Sequence, residues 1–300
     1  MTAAPLLVGL IGANIMKSLS PALHEDALAA AGIRGHYHLM DLERLPGRKL
    51  EDLLQAVRQA GFAGVNITFP CKQAVMPLLD EISAEARQIG AVNTVTVSES
   101  GRTRGHNTDR SGFQRSFEDV LGRGRIEGQT AVLVGAGGAG RAVASALMEL
   151  GASTVVVHDT DRVRGSALVA ELIVLFGANR CRLAGNLTAA IAGAAGIVNA
   201  TPIGMYGFPG NPVPPEAITA RQWVADIIYS PIETELIKAA RQRGADVLTG
   251  GGMCVHQAAE TFRLFTRSLP DVARMHRTFA AALARRDARL PVAMQNSDPN

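Results

Sequence analysis

The segment TAVLVGAGGAGRAVASALMELG, residues 130–151, restricts the fold of this chain more than any other. An apolar run rich in β-branched residues ends in GAGGAG at 135–140, and an alanine-rich stretch with helical periodicity follows. The spacing of Gly135, Gly137 and Gly140 is that of G-x-G-x-x-G, here in the strand–turn–helix setting that gives the motif a mechanism. The first glycine permits a tight turn, the second lets the backbone approach a pyrophosphate, and the third lets helix and strand pack closely. Amides at the helix start then face the phosphates. The segment therefore predicts a dinucleotide site made by Gly135, Ala136, Gly137, Gly138, Ala139 and Gly140. The next strand, STVVVHD, ends in Asp159, where a carboxylate accepts hydrogen bonds from ribose hydroxyls and repels a 2′-phosphate. That favours NAD over NADP, although Arg162 and Arg164 just beyond suit a phosphate.

The same alternation of strand and helix extends to both sides. Upstream, strands are expected at 6–12, 36–42, 64–69 and 91–98, with helices at 21–32, 49–61, about 74–89 and from about Asp109. Downstream, a strand at 153–159, a helix at 163–177, strands in GIVNAT and WVADIIY, a helix after Gly252 and another from about Asp271 to Arg286 complete the pattern. The fold class is α/β with two domains: an N-terminal α/β domain over 1–113, a Rossmann domain over 114–253, and C-terminal helices at 254–287 returning to the first. The polar end, 288–300, reads as a mobile tail.

Composition narrows the partners. With 30 basic and 27 acidic residues, a net charge of +3 and no long run of one sign, the chain shows no nucleic-acid footprint. Cys71, Cys181 and Cys254 are scattered, and His24, His36, His38, His106 and His256 lack ligand spacing, so no metal site is expected. Neither a signal peptide nor a membrane span is visible, which predicts a cytoplasmic protein.

The N-terminal half must supply the chemistry, and polar residues interrupt it where strands end. They are Ser18 and Ser20 in KSLSP, Asn66 and Thr68 in VNITFP, Lys72, Asn93 in GAVNT, and Asn107 with Asp109 in GHNTD. Taken singly, Ser20 before Pro21 reads equally as a helix cap, and Asn66 and Asn93 as satisfiers of loop backbone.

From SLSPALHE through GVNITFPCKQAV, GAVNT, GHNTDRSGF, GAGGAGRA and NATPIGM to YSPIETELIKAA and VHQAAETFRLFT, the chain resembles the shikimate dehydrogenase family, its quinate/shikimate branch in particular. The resemblance implies a substrate domain, a Rossmann domain and an active cleft where they join. It implies Lys72 and Asp109 as the catalytic pair, and Ser18, Ser20 and Tyr229 as holders of a substrate carboxylate. Asn66, Thr68, Asn93, Asp109 and Gln257 would bind ring hydroxyls, and Thr201, Met205, Gly250 and Met253 would line the nicotinamide side. Lys17 departs from the histidine usual before the first motif serine.

The chemistry agrees with this pairing. Oxidising a ring hydroxyl sends a hydride to nicotinamide and a proton to a base, and an ammonium oriented by a carboxylate serves the reverse. The expected activity is NAD-linked interconversion of shikimate and 3-dehydroshikimate, with quinate second and an analogue such as aminoshikimate third, by a monomer or homodimer. From another class comes a non-catalytic NAD-dependent sensor of the same fold.

Overall fold

The computed structural model describes residues 5–288, so the tail expected over 288–300 lies, from 289 onward, outside the described residues. The chain forms two compact units. Among the described residues, those up to Glu81, Asn93–Gly105 and those from Ala258 onward make the first, and Ile82–Val92 with His106–Gln257 the second.

In chain order the elements begin with β1 (Leu6–Gly12), α1 (Ser20–Ala30), β2 (Gly35–Asp41), α2 (Leu50–Gln59) and β3 (Gly64–Ile67). Then come β4 (Glu81–Ile82), α3 (Ala84–Ile89), β5 (Thr94–Val97), β6 (Thr103–His106) and α4 (Asp109–Val120). The helix expected over 74–89 is instead a 3-10 turn at Met76–Leu78, a two-residue strand and α3. Pro77 supplies no N–H to a continuing helix. A fresh one starts where Ser83 Oγ accepts from the Ala86 amide (3.1 Å), and it stops at Gly90, whose φ of 70° is left-handed.

The first sheet has the order β2-β1-β3-β5-β6-β4. Strand β1 runs parallel to β2 and β3, whereas β3 and β5 are antiparallel. All four β3 residues are buried, which suits a strand covered on both faces.

The second unit continues with β7 (Thr130–Val134), α5 (Gly138–Glu149), β8 (Thr154–His158), α6 (Arg162–Phe176), β9 (Cys181–Leu183), α7 (Leu187–Ala192) and β10 (Gly196–Asn199). β11 (Trp223–Asp226), α8 (Glu235–Gln242) and β12 (Asp246–Leu248) follow, and the unit ends within α9 (Gly250–Thr266), whose residues from Ala258 onward belong to the first unit with α10 (Val272–Asp287). The second unit's sheet has the order β12-β11-β10-β7-β8-β9 with every neighbour parallel. This is the doubly wound arrangement, reversing direction between β7 and β10. Short apolar runs such as AVLV and TVVV become central strands because helices cover both sheet faces. Trp223 is fully buried, lies edge-on to Phe117 at 4.9 Å, and donates its indole N–H to Arg125 O (3.2 Å).

Strands β6, β9 and β12 and helices α7 and α8 carry short or weakly periodic sequences and have no counterpart among the expected elements. The final helices go back to the first unit. Arg274 Nε and Nη2 donate to Asp26 at 2.8 and 2.7 Å, Thr278 Oγ1 adds 2.7 Å, and these bonds hold the Asp26 carboxyl down at about 2.

Candidate functional site

Within the first unit, parallel pairing decides what meets. Strands β1 and β3 are neighbours running the same way, so the loop after β1 and the turn after β3 emerge at one sheet edge. Ala13 N donates to Phe69 O (2.9 Å) and Thr68 N to Ile11 O (3.0 Å), fastening loop to turn. Gly12 allows the approach, since a Cβ there would lie 3.0 Å from Phe69 O. Strand β5, antiparallel to β3, starts at this same edge, and Ile67 N donates to Asn93 O (2.8 Å). Ser18, Ser20, Asn66, Thr68, Lys72 and Asn93 thus belong to one edge.

Ser20 is inside the first turn of α1 and does not cap it. Ser18 Oγ accepts from Ser20 N and donates to Ser20 Oγ, both at 3.2 Å, so the hydroxyls form a pair. Asn66 is almost fully buried: its Oδ1 accepts from Tyr37 OH (2.8 Å), and its Nδ2 is shared among Asn93 O, Thr94 Oγ1 and Thr261 Oγ1 at 3.0–3.2 Å. Two amide protons over three acceptors leave this side chain strongly committed to the protein. Lys72 is half-buried after the Thr68–Cys71 turn, where Cys71 N donates to Thr68 O (2.8 Å). Burial pushes the Cys71 thiol up, the reverse of an activated nucleophile.

In the second unit the glycine turn closes β7 beside the end of β10. Gly135 has φ 102°, and a Cβ on it would lie 2.8 Å from the Ala200 carbonyl and 2.9 Å from Thr201 Cγ2. A Cβ on Gly140 would strike Gly135 O, whereas one on Gly137 meets nothing within 4 Å. Two of the glycines are therefore demanded by packing, and the middle one leaves space above the start of α5, as a phosphate cradle requires. The residues present fit a dinucleotide. Asp159 Oδ2 accepts from Ala136 N (2.8 Å) and Arg164 Nε (3.0 Å), and Oδ1 from Asp161 N (2.8 Å) and Arg164 Nη2 (2.7 Å). Burial raises its pKa, but the Arg164 guanidinium and the two amides outweigh that and hold the carboxyl below the ordinary range.

Thr201 N and Oγ1 donate to Asn199 Oδ1 at 2.9 and 2.7 Å, and Met205 pairs with Phe208 in an isolated bridge. Gly250 packs on the Ile227–Ile228 backbone beside half-buried Tyr229, because a Cβ would come within 2.5 Å of Ile228 O. Asp109 is buried at the first position of α4, and Met253 and Gln257 reach that helix near Gly112, with Gln257 Nε2 donating to Cys254 O (3.0 Å). Asn107, Asp109, Tyr229 and Gln257 fall in the second unit, while Lys72 and the serine pair fall in the first.

A family model described as the shikimate dehydrogenase substrate binding domain matches residues 10–95. A quinate/shikimate dehydrogenase (NAD(+)) of Corynebacterium efficiens is 46% identical over 91% of this chain and 97% of its own. The chain belongs to the shikimate dehydrogenase family. A shikimate dehydrogenase (NADP(+)) of Streptomyces avermitilis, another member, is 48% identical over 92% of this chain and 95% of its own. The structure of a quinate dehydrogenase from Corynebacterium glutamicum in complex with NAD superposes with a TM-score of 0.84 at 44% identity, covering 92% and 99% of the two chains.

In this shikimate dehydrogenase family member, several residues that shape the site escape a reading by motif. Asp41 accepts from the amides of Asn14 and Ile15, both at 3.0 Å, and so fixes the loop that bears the serines. Asn199 Nδ2 donates to Asp226 Oδ1 (3.1 Å) and Ile203 O (3.1 Å), tying the Thr201 loop to β11. The visible signal for both Asn199 and Asp226 is a polar residue closing an apolar strand. His256 bonds Asp119 of α4 (2.9 Å). His24 is buried in stacking contact with Tyr37 (4.7 Å), and burial drives its pKa to about 3. Among the described residues no acidic, histidine or cysteine group is arranged to hold a metal, and no helix is long and apolar enough to cross a membrane.

Proposed function

We propose that the chain is a cytoplasmic, NAD-dependent dehydrogenase that interconverts shikimate and 3-dehydroshikimate, with quinate and 3-dehydroquinate as a second pair. The observation that carries this reading is the sheet edge of the first unit. There β3 and the turn after it carry an amide, a threonine and a lysine, and the ends of its parallel neighbour β1 and its antiparallel neighbour β5 bring two serine hydroxyls and a second amide to the same end of the sheet. Such a set matches a small acid bearing several hydroxyls, and the family's named members act on such acids.

Ser18, Ser20 and Tyr229 hold the substrate carboxylate. Thr68, Asn93, Asp109 and Gln257 take ring hydroxyls, and Asn66, whose amide is spent on the protein, braces Asn93 beside them. In oxidation Lys72, as neutral amine, removes the hydroxyl proton; in reduction its ammonium returns a proton to the ketone oxygen, and Asp109 orients it. Nicotinamide dinucleotide, when bound, supplies hydride acceptance and donation. Gly135 to Gly140 receive its pyrophosphate, Asp159 its adenosine ribose, and Thr201, Met205, Gly250 and Met253 its nicotinamide side. The first unit acts as the substrate domain and the second as the cofactor domain.

NAD is favoured because Asp159 is a buried, ionised carboxylate at the end of β8. NADP is the second reading, favoured by Arg164 at that carboxylate. The deciding experiment measures kcat/KM for shikimate and quinate against NAD and NADP, with K72M beside the wild type. We expect NAD with shikimate to lead, oxidation to rise toward alkaline pH, and K72M to lose turnover by about a hundred-fold or more. NAD binding without turnover of either acid would instead favour a sensor, and turnover of an amino analogue alone would move the substrate.

A further inference from the structure

We propose that Asn107 is a positioning residue, which sets the Asp109 carboxylate by clamping the first turn of α4 to the segment 82–92. This rests on the role given to Asp109 above. Asn107 is 4% exposed and its amide is used at both ends. Oδ1 accepts from the backbone N–H of Asp109 (3.1 Å) and of Arg110 (3.2 Å), and Nδ2 donates to Ala91 O (3.0 Å). The orientation of an amide cannot be reversed here without turning an acceptor onto a carbonyl and donors onto N–H groups.

Arg110 supplies the second anchor, through Glu85 of α3 (2.8 Å) and Glu149 of α5. Asp109 stands between these two anchored neighbours, so its Cα is held from both sides. The held segment also packs by itself: Ile89 and Ala91 form a buried cluster with Ala142 of α5. One side chain thus ties the backbone at Ala91 to that of Asp109 and Arg110, all within the second unit. Displacements of about 1 Å at a reacting group cost up to a hundred-fold in rate, so such a clamp acts on turnover.

A helix cap alone would serve stability and leave turnover intact, and two variants separate the roles. N107S keeps an oxygen that accepts the first-turn N–H groups but is too short to reach Ala91 O, whereas N107A removes both functions. Both variants and D109N are assayed for kcat, KM for shikimate and for NAD, NAD binding by fluorescence, and melting temperature. The expected result is a kcat lowered about ten- to a hundred-fold in N107A and N107S alike, with NAD affinity unchanged, and with melting temperature restored in N107S. Should N107A not fold, N107S carries the test. Wild-type kcat in N107S overturns the clamp and leaves Asn107 a cap, provided D109N is inactive. Full turnover in D109N instead overturns the role of Asp109, and the inference with it.

Discussion

At the scale of single residues, Asp159 shows how a predicted role acquires a competitor. Its position at the end of a strand after the glycine turn was sufficient to nominate it for the ribose. The structure adds that all four of its acceptor sites are taken, by Ala136 N, Asp161 N and two nitrogens of Arg164. A ribose at this carboxylate would have to displace Arg164, which is half-exposed and able to swing out. In D159A we expect kcat/KM for NAD to fall by about ten-fold or more and the preference over NADP to shrink, because the freed guanidinium can meet a 2′-phosphate. Unchanged kcat/KM for NAD would remove Asp159 from the ribose site. Asn66 illustrates the opposite limit of motif reading. Its amide looked like a substrate ligand or a loop satisfier, and it is bonded to Tyr37, Asn93, Thr94 and Thr261 at once.

At the scale of elements, helix crossings and strand ends set the site. A Cβ on Gly112 would sit 2.9 Å from Gln257 N and 3.0 Å from both Gln257 Cβ and Met253 O, none of which can swing aside. Helices α4 and α9 thus approach as closely as they do because residue 112 has no side chain. G112A is expected to destabilise by about 1–3 kcal/mol and, by moving Gln257, to raise KM for the acid more than KM for NAD. A melting temperature and both constants equal to wild type would show the crossing to be slack.

The other junction is Asp226 at the end of β11, which accepts from Asn199 Nδ2, Ile228 N and Thr234 Oγ1 and thereby links β10, β11 and the start of α8. Burial raises its pKa to about 6, against the opposing pull of those three bonds. A carboxyl raised in the folded state favours the protonated form, so its stabilising contribution is complete below the unfolded value of about 4 and is lost as pH rises through about 6. D226N, neutral throughout, should therefore gain on the wild type between pH 4 and 7, by on the order of 2 kcal/mol. Melting curves of the two proteins that stay parallel across that range would contradict the assignment.

At the scale of the whole molecule, the described residues form two sheets of six strands along a single chain. The alternation of short apolar runs with helical periods was enough to place β1, β2, β3, β7, β8, β10 and β11 and most helices, because those patterns are properties of neighbouring residues. It was not enough for β6, β9 and β12, which are three or four residues long and exist by pairing with a neighbour rather than by their own composition. The division of the chain shows the same limit. The sequence pattern suggests a change of domain after residue 113, yet His106–Phe113 goes with the second unit, where Asn107 and Arg110 are bonded to Ala91, Glu85 and Glu149. Membership in the shikimate dehydrogenase family follows from motifs spread over nearly the whole length, and close relatives carry either cofactor name.

The sequence by itself determined the α/β class, the glycine turn and the identities of the polar residues at strand ends, since glycine freedom, hydrophobic period and side-chain chemistry are local. Only the tertiary structure decided which of these residues are braced and by what. Asn66 meets Tyr37, 29 positions away, and Thr261, 195 positions away. Asn107 meets Ala91, and Asn199 meets Asp226. Each bond joins groups whose approach depends on sheet order and helix packing, and buried polar atoms take whatever partner that packing brings within reach.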